Sequence, residues 1–174
     1  MGQKVWTQKD VDSLPRDKNG YRIFPGGITF SGGINFGNWN TLGDGNTLGN
    51  WNTLGNWNTL GNRNTLGDGN TLGDGNTLGN WNTLGDGNTL GDGNTLGGQE
   101  LIGRDPICVI SYFGSANRST IFMRTKNGIY VQCGCFFGTL EEFRVRVKTV
   151  HKDNQFAREY IAAIRLAEIR FERK

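Results

Sequence analysis

The sequence predicts a β-solenoid followed by a small α+β domain. Three observations lead to this prediction: a six-residue repeat in the middle of the chain, three strand-like segments after it, and two amphipathic helical segments at the end. They divide the 174 residues into an N-terminal cap segment, 1–24, a repeat region, 25–103, and a C-terminal domain, 104–174. A fixed period of this kind usually defines the architecture of the region that carries it.

The repeat keeps its frame without an insertion. Ten hexads such as GNWNTL run from Gly37 to Leu96, and two variants with Phe in place of Leu extend the frame back to Pro25. Six residues do not match a helical period, and a glycine in every hexad would be costly inside a helix. A short strand followed by a turn fits six residues. Three such sides close a triangular coil of 18 residues, so twelve hexads predict about four coils.

Each column of the hexad has an expected place in the coil. In Asn-Thr-Leu the side chains alternate, which puts Asn and Leu inside and Thr outside. Buried amides need partners, so the Asn column predicts ladders of side-chain amides that are hydrogen-bonded along the rod. The glycine and the Asn or Asp after it are expected to supply the unusual backbone angles of the corners. The third column varies among Trp, Gly and Arg and is predicted to point outward.

These columns resemble the hexapeptide repeat of left-handed parallel β-helix proteins. That repeat has an aliphatic residue, Gly, two variable residues and a small residue, and Leu48–Thr53 (LGNWNT) follows this order. The chain departs from it at Asn52 and its equivalents, where the family usually has Ser, Thr, Ala or Val. The resemblance implies a left-handed coil. Because that family is commonly trimeric, it also implies a homo-oligomer, expected to be a trimer.

The variable column predicts where aromatic side chains collect. Trp39 and Trp57 are 18 residues apart and should stack on one corner, while Trp51 lies on a second corner and Trp81 lies above Arg63 on the third. Four exposed Trp residues exceed what solubility alone would permit. Two interpretations stay open: these corners pack against neighbouring protomers or residues 1–24, or they form a surface that binds a ligand or partner.

The C-terminal domain begins with segments rich in β-branched and aromatic residues. Pro106–Phe113, Ser119–Thr125 and Ile129–Cys135 are predicted to be three strands of an antiparallel sheet. Lys126–Gly128 (KNG) is expected to form a tight hairpin turn between the last two.

Two helices are predicted after the sheet. Thr139–Glu142 (TLEE) is a capping box that should open the first helix, and Asp153 is expected to cap the second. The apolar stripe of the first helix consists of Leu140, Phe143, Val147 and Val150. Its outward face is expected to display Arg144 and Lys148. The stripe of the second helix consists of Phe156, Tyr160, Ala163, Ile164, Ala167 and Phe171.

The loop between the first two strands, 114–120, is the predicted polar site of this domain. It combines small hydroxyl residues, an amide and a guanidinium, a mixture suited to phosphate or carboxylate. An ordinary solvated hairpin loop would have the same composition, and the two interpretations stay open. The candidate binding residues of the domain are Ser115, Asn117, Arg118, Thr120 and Arg124.

Catalysis is not expected. Acyltransferases and hydratases built on the hexapeptide-repeat coil use histidine as general base or metal ligand, and the only histidine here, His151, lies outside the repeat. Cys133 and Cys135 should share one face of a strand and belong to the core. Asp-Gly pairs of the repeat are interpreted as turn dipeptides and not as cation ligands. No catalytic residue, metal site or cofactor is therefore predicted.

The distribution of charge is uneven. Residues 25–103 carry Arg63 against six acidic side chains, whereas residues 104–174 carry thirteen basic and seven acidic ones. A basic domain attracts phosphate-bearing partners or simply stays soluble. No long apolar run and no apolar signal segment is present, so no membrane association is expected and the host cell cytoplasm is the predicted location. Sequence-specific binding of nucleic acid is not expected.

The chain outside the repeat resembles uncharacterised bacteriophage and prophage proteins in which similar hexad arrays occur. The stretches that carry this resemblance are WTQKDVDSLP, GSANRSTIF, NGIYVQCGCFFGTLEEF and HKDNQFAREYIAAIRLAE. It implies a phage origin. Three functions are compatible with the sequence: an oligomer that captures a ligand or a host defence protein, in its sharpest form a counter-defence protein that sequesters a nucleotide immune signal; a structural tail or fibre accessory of the virion; and a degenerate acyltransferase-like protein.

Overall fold

A computed structural model of the protein describes residues 4–103 and 105–172. Residues 1–3 of the predicted cap segment and residues 104 and 173–174 of the predicted C-terminal domain lie outside the described residues. The predicted fold class is confirmed: a β-solenoid of about four coils is followed by an antiparallel sheet and two helices. Among the described residues, no helix combines the length and the apolar character needed to cross a bilayer.

The first part of the chain consists of very short strands and one helix. Helix α1 spans Gln8–Ser13, after the first strand. The strands are β1 (Val5–Trp6), β2 (Arg22–Phe24), β3 (Thr29–Phe30), β4 (Asn35–Gly37), β5 (Asn40–Leu42), β6 (Thr47–Leu48), β7 (Thr53–Leu54), β8 (Thr59–Leu60), β9 (Thr65–Leu66), β10 (Thr71–Leu72), β11 (Thr77–Leu78), β12 (Thr83–Leu84), β13 (Thr89–Leu90), β14 (Thr95–Leu96) and β15 (Gln99–Glu100).

Three parallel faces form the solenoid. One has the strand order β1-β3-β6-β9-β12, the second β4-β7-β10-β13, and the third β2-β5-β8-β11-β14, to which β15 adds antiparallel. Strand partners are 18 residues apart in register, for example Thr47 with Thr65 and Leu48 with Leu66. The coil therefore has the size that the repeat predicts, and identical columns stack on one another.

The interior of the coil is filled by the Leu and Asn columns, as predicted. Leu66 is 1% exposed and Asn64 is fully buried, while Thr65 between them faces outward. The amide ladder differs from the expected one because it runs through the backbone. Asn64 Oδ1 accepts from the backbone N–H of Asn46 at 2.7 Å, and Asn64 Nδ2 donates to the carbonyl of Gly61 at 2.9 Å. Each amide thus satisfies backbone groups that the two-residue strands leave unpaired.

The corners depend on three columns for three different reasons. The left-handed backbone angle belongs to the variable column, with φ near +60° at Trp51 and Arg63, and not to the first glycine or the Asn/Asp column as expected from the sequence. At the first glycine the constraint is space, because a Cβ on Gly67 would overlap Oδ1 of Asn50 in the coil below. That Oδ1 in turn accepts from the backbone N–H of Asp68 at 2.9 Å.

Aromatic and apolar residues close the two ends of the solenoid. At the first end Phe24, Phe30 and Phe36 pack edge to face, with Trp6 and Val11 of the N-terminal segment in the same cluster. At the other end residues of the C-terminal sheet join the solenoid core, namely Ile107, Ile121 and Met123.

The C-terminal sheet has four antiparallel strands in sequential order, one more than predicted. They are β16 (Ile107–Phe113), β17 (Arg118–Thr125), β18 (Gly128–Cys133) and β19 (Phe136–Thr139). The extra strand arises because Gly134 and Cys135, inside the segment predicted as the third strand, form a tight turn. Cys133 and Cys135 accordingly do not share one strand. Cys133 is half-buried and packs against the core between the sheet and the helices, whereas Cys135 is exposed, which corrects the assignment of Cys135 to the core.

The helices cover the face of this sheet that points away from the solenoid. Thr139 caps α2 (Leu140–His151) with the predicted capping box, but α3 (Gln155–Glu172) is capped by Asn154, whose Oδ1 accepts from the N–H of Ala157, and not by Asp153. Arg144 was predicted to point outward and instead forms an ion pair with Glu168 of α3. Exposed are Val150 and Phe156, both assigned to apolar stripes from the sequence.

The N-terminal capping box predicts a local dependence on acid. Hydrogen bonds from Lys4 and from Thr7 lower the pKa of Asp10 to about 2, against an ordinary value of 3.8. A lowered folded-state pKa stabilises the fold above the unfolded-state pKa, and the contribution is lost as pH falls towards 2. We expect the stability advantage of the natural protein over Asp10→Asn to shrink between pH 4 and pH 2, measured by thermal melts. A constant difference over that range would contradict this.

Candidate ligand-binding cleft

Three of the four Trp side chains of the repeat pack against the neighbouring coil. The rings of Trp39 and Trp57 are stacked as predicted, with centroids 6.0 Å apart and planes at 15°. The Trp57 ring covers Gly75 in the next coil, where a Cβ would lie 2.6 Å from the indole. Trp51 covers Gly69 in the same way. The indoles of Trp51 and Trp57 therefore occupy the space that a side chain would fill at Gly69 and Gly75 in the next coil.

Trp81 is different, because its side chain lines two cavities on the third corner. One cavity, of about 460 Å³, extends down the rod and is lined by Asp44, Gly45, Asn62, Arg63, Asn80 and Trp81. The other, of about 200 Å³, lies between the solenoid and the C-terminal sheet and is lined by Trp81, Thr83, Arg118, Ser119, Ile121, Gln132 and Gly134. We call these two cavities together the Trp81 cleft. It brings residues of both predicted sites together.

Contacts between β12 and β17 create the upper part of the cleft. Ser111 donates a hydrogen bond to Asp86 of the solenoid at 2.9 Å and exchanges another with Ser119 at 2.8 Å. These contacts hold the start of β17 beside the coil, so that Arg118 reaches the cleft. The period of the repeat contains no information about this arrangement.

Two arginines line the cleft together with Trp81. Arg63 is the single basic residue between residues 25 and 103, and it lies one coil below Trp81, a rise of roughly 5 Å. Arg118 comes from the other domain. Within the part of the chain that the structure describes, neither side chain has a carboxylate within ion-pair distance. Both cations are therefore available to an anion, although Asp44 also lines the lower cavity.

Gln132 was not selected from the sequence, and it forms part of the cleft wall. Only 7% of it is exposed, and its Nε2 donates to the backbone carbonyl of Asn82 at 2.6 Å. In the coil below, the equivalent carbonyl of Asn64 accepts from the N–H of Thr83 at 2.8 Å. Gln132 thus takes the place of a further coil above this face. The signal in the sequence is a glutamine at an inward position of an apolar strand.

The other predicted residues of the 114–120 loop are not in the cleft. Ser115 and Asn117 are exposed in the turn, and the hydroxyl of Thr120 is buried and donates to Sγ of Cys133 at 3.2 Å. Arg124 lies at the far end of β17, roughly 20 Å from Arg118, with its guanidinium over the ring of Phe171. The structure therefore does not unite these residues into one basic patch.

A second cavity, of about 560 Å³, lies between the sheet and α2. His151 stacks on the ring of Tyr160 at 5.3 Å and lines this cavity together with Cys133 and Cys135. Burial is the main cause that raises the pKa of the Tyr160 hydroxyl. The apolar part of its wall includes Phe136, Phe143, Val145, Val147 and Val150. Within the described chain, no group of three His, Cys, Asp or Glu residues is arranged to hold a metal ion.

Comparison with protein-family models, with curated proteins and with solved structures found no match to this chain.

Proposed function

We propose that the protein is a non-catalytic phage protein that binds and sequesters a nucleotide signal in the host cytoplasm. One observation carries this proposal: Trp81 lines one cavity together with Arg63 and a second one together with Arg118, at the junction of the solenoid and the C-terminal sheet. Among the described residues, neither arginine has an ion-pair partner. The phage origin rests on the resemblance of the segments outside the repeat.

The chemistry of the cleft fits a nucleotide. Any of the nucleic-acid bases gains about 1–3 kcal/mol from stacking on an aromatic side chain, because every base has a planar π-face. Guanidinium groups bind phosphate through charge-assisted and bidentate hydrogen bonds. Trp81 offers the first interaction and Arg63 and Arg118 the second, on a chain whose repeat region is otherwise acidic. The cleft contains no histidine or cysteine in its lining, which favours binding over chemical conversion.

A homotrimer is part of the proposal. The resemblance to hexapeptide-repeat proteins implies this state, and the solenoid offers exposed aromatic corners that would suit an interface between protomers. Trp51 is 72% exposed, and Trp39 and Trp57 are 44% and 54% exposed. We assign these three residues to contacts between copies and Trp81 to the ligand.

Binding should depend on Trp81 and not on the other Trp corners. We expect Trp81→Ala to weaken nucleotide binding by about 10-fold or more, because the stacking surface is lost. Titration calorimetry with AMP, GMP, CMP and UMP measures this, and Trp51→Ala is the matched control that should retain the affinity. Equal losses in the two variants would contradict the assignment of the site.

The same protein tests the whole proposal in the cell. Protein purified from infected cells is examined by native mass spectrometry and then denatured to release bound small molecules. A trimer that releases a nucleotide supports sequestration. An empty oligomer that is also a component of purified virions would overturn the proposal in favour of a structural tail or fibre role, and a capture of a host protein without nucleotide would favour the defence-protein alternative.

A further inference from the structure

We infer that the ligand of the Trp81 cleft is a nucleotide whose base carries an exocyclic amino group, and that Oε1 of Gln132 accepts a hydrogen bond from that group. The inference rests on the proposed function and specifies the class of base that the cleft selects. It follows from the orientation of one buried amide.

The Gln132 amide is held in one orientation. Its Nε2 donates to the carbonyl of Asn82 at 2.6 Å, and a rotation of the amide by 180° would bring two acceptor oxygens together. The side chain is more than nine-tenths buried. The fixed orientation leaves Oε1 as the free acceptor of the amide, next to the second N–H of Nε2.

That acceptor lacks a partner. Oε1 of Gln132 is buried without a hydrogen bond among the described residues, while the residue lines the upper cavity beside Trp81. The hydroxyl of Ser119 in the lining is already engaged, because it shares a hydrogen bond with Ser111 at 2.8 Å. A buried acceptor without a partner is unfavourable, and a ligand that brings a donor removes that cost. A ligand without the donor leaves the cost in place.

The three groups of the upper cavity then have separate tasks. Trp81 stacks on the base, Arg118 binds phosphate, and Gln132 identifies an amino group at the edge of the base. A site that hydrogen-bonds a polar group of its ligand rejects analogues that lack the group, because its own buried atom stays unpaired. The cleft is therefore expected to discriminate among nucleotides and not only to attract anions.

One group of the protein competes for the same acceptor. In the coil below, the backbone N–H of Asn64 donates to a side-chain oxygen above it, Oδ1 of Asn82, at 2.7 Å. The N–H of Asn82 would find its equivalent oxygen in Gln132. Pairing of these two atoms predicts equal affinity for bases with and without an amino group.

The test compares two ligands that differ only in the amino group. AMP and purine riboside 5′-monophosphate, which has hydrogen in place of the amine, are titrated into the full-length natural protein by calorimetry. We expect AMP to bind about 10-fold more tightly. Gln132→Met removes the acceptor, and in this variant the two ligands should bind with equal affinity.

Each outcome decides a different statement. Equal affinities in the natural protein would overturn the inference and leave the proposed function in place, with the acceptor paired to Asn82. Failure of both ligands to bind, together with failure of the four common mononucleotides, would overturn the proposed function and the inference with it. A preference for AMP that persists in Gln132→Met would overturn the assignment of the selectivity to Gln132.

Discussion

Replacing Asn64 with leucine is expected to lower the free energy of unfolding by about 3 kcal/mol, although leucine is close in size and more apolar. The side chain and the backbone N–H of Asn64 together connect three consecutive coils. Asn64 Oδ1 accepts from the N–H of Asn46, its Nδ2 donates to the carbonyl of Gly61, and its own N–H donates to Oδ1 of Asn82. Leucine would leave the N–H of Asn46 buried without a partner, and it would leave the carbonyl of Gly61 with a single donor, Nδ2 of Asn82 at 3.1 Å.

Denaturant unfolding followed by circular dichroism measures this effect. Thr65→Val is the matched control, because Thr65 is the next residue and points outward, and it should change the stability by less than about 0.5 kcal/mol. Asn64→Asp adds a second comparison. It keeps an acceptor for Asn46 but turns a buried carboxyl oxygen towards the carbonyl of Gly61, so it should be destabilising and more so above the carboxyl pKa. A Leu variant as stable as the natural chain would refute the role of the ladder.

Replacing Gly67 with alanine should cost about 3 kcal/mol, through steric overlap and not through backbone strain. Its φ is not in the left-handed region, and alanine would be conformationally acceptable there. The added Cβ, however, would overlap Oδ1 of Asn50 and lie 3.0 Å from the backbone of Gly49. Since Asn50 Oδ1 binds the N–H of Asp68, relief of the overlap also weakens a hydrogen bond at the corner.

The variable column supplies the opposite control. Gly87 has φ +67°, and the nearest atom to an added Cβ is 4.0 Å away. Alanine at this position meets only the left-handed backbone penalty, about 1 kcal/mol. Thermal melts should therefore show a decrease in Tm for Gly67→Ala about three times that for Gly87→Ala. The reverse order would mean that backbone angle, and not space, preserves the first glycine of each hexad.

These two predictions concern the scaffold, and they bear on the cleft through Asn82. Each coil of a solenoid contacts mainly its neighbours, so the loss of hydrogen bonds in one coil also weakens the packing of the next coil. Asn82 receives the ladder from Asn64 and contacts Gln132 of the C-terminal sheet. The position of Arg118 beside Trp81 thus depends on a continuous set of hydrogen bonds through the last coils.

Much of the architecture could be predicted because a period is local information. The 18-residue coil, the inward Asn and Leu, the outward Thr and the Trp39–Trp57 stack all follow from the spacing of columns in the hexad. The reason for each corner residue could not be read in the same way. Glycine occurs both at the first position of the hexad and at the variable position. The three-dimensional structure shows that a neighbouring side chain limits the first position, whereas a positive φ limits the variable position.

The sequence by itself determined the solenoid and the columns of its hexad that face inward and outward, and it supplied the candidate residues at the corners. The tertiary structure decided which of them meet. Trp81 and Arg118 were both predicted as binding residues, but the packing of β17 against β12 is what brings them to one cavity together with Gln132. Arg124 lies at the other end of β17, over the ring of Phe171. The physical reason is that the repeat fixes distances within the coil, whereas the contact between coil and sheet depends on side chains that follow no period.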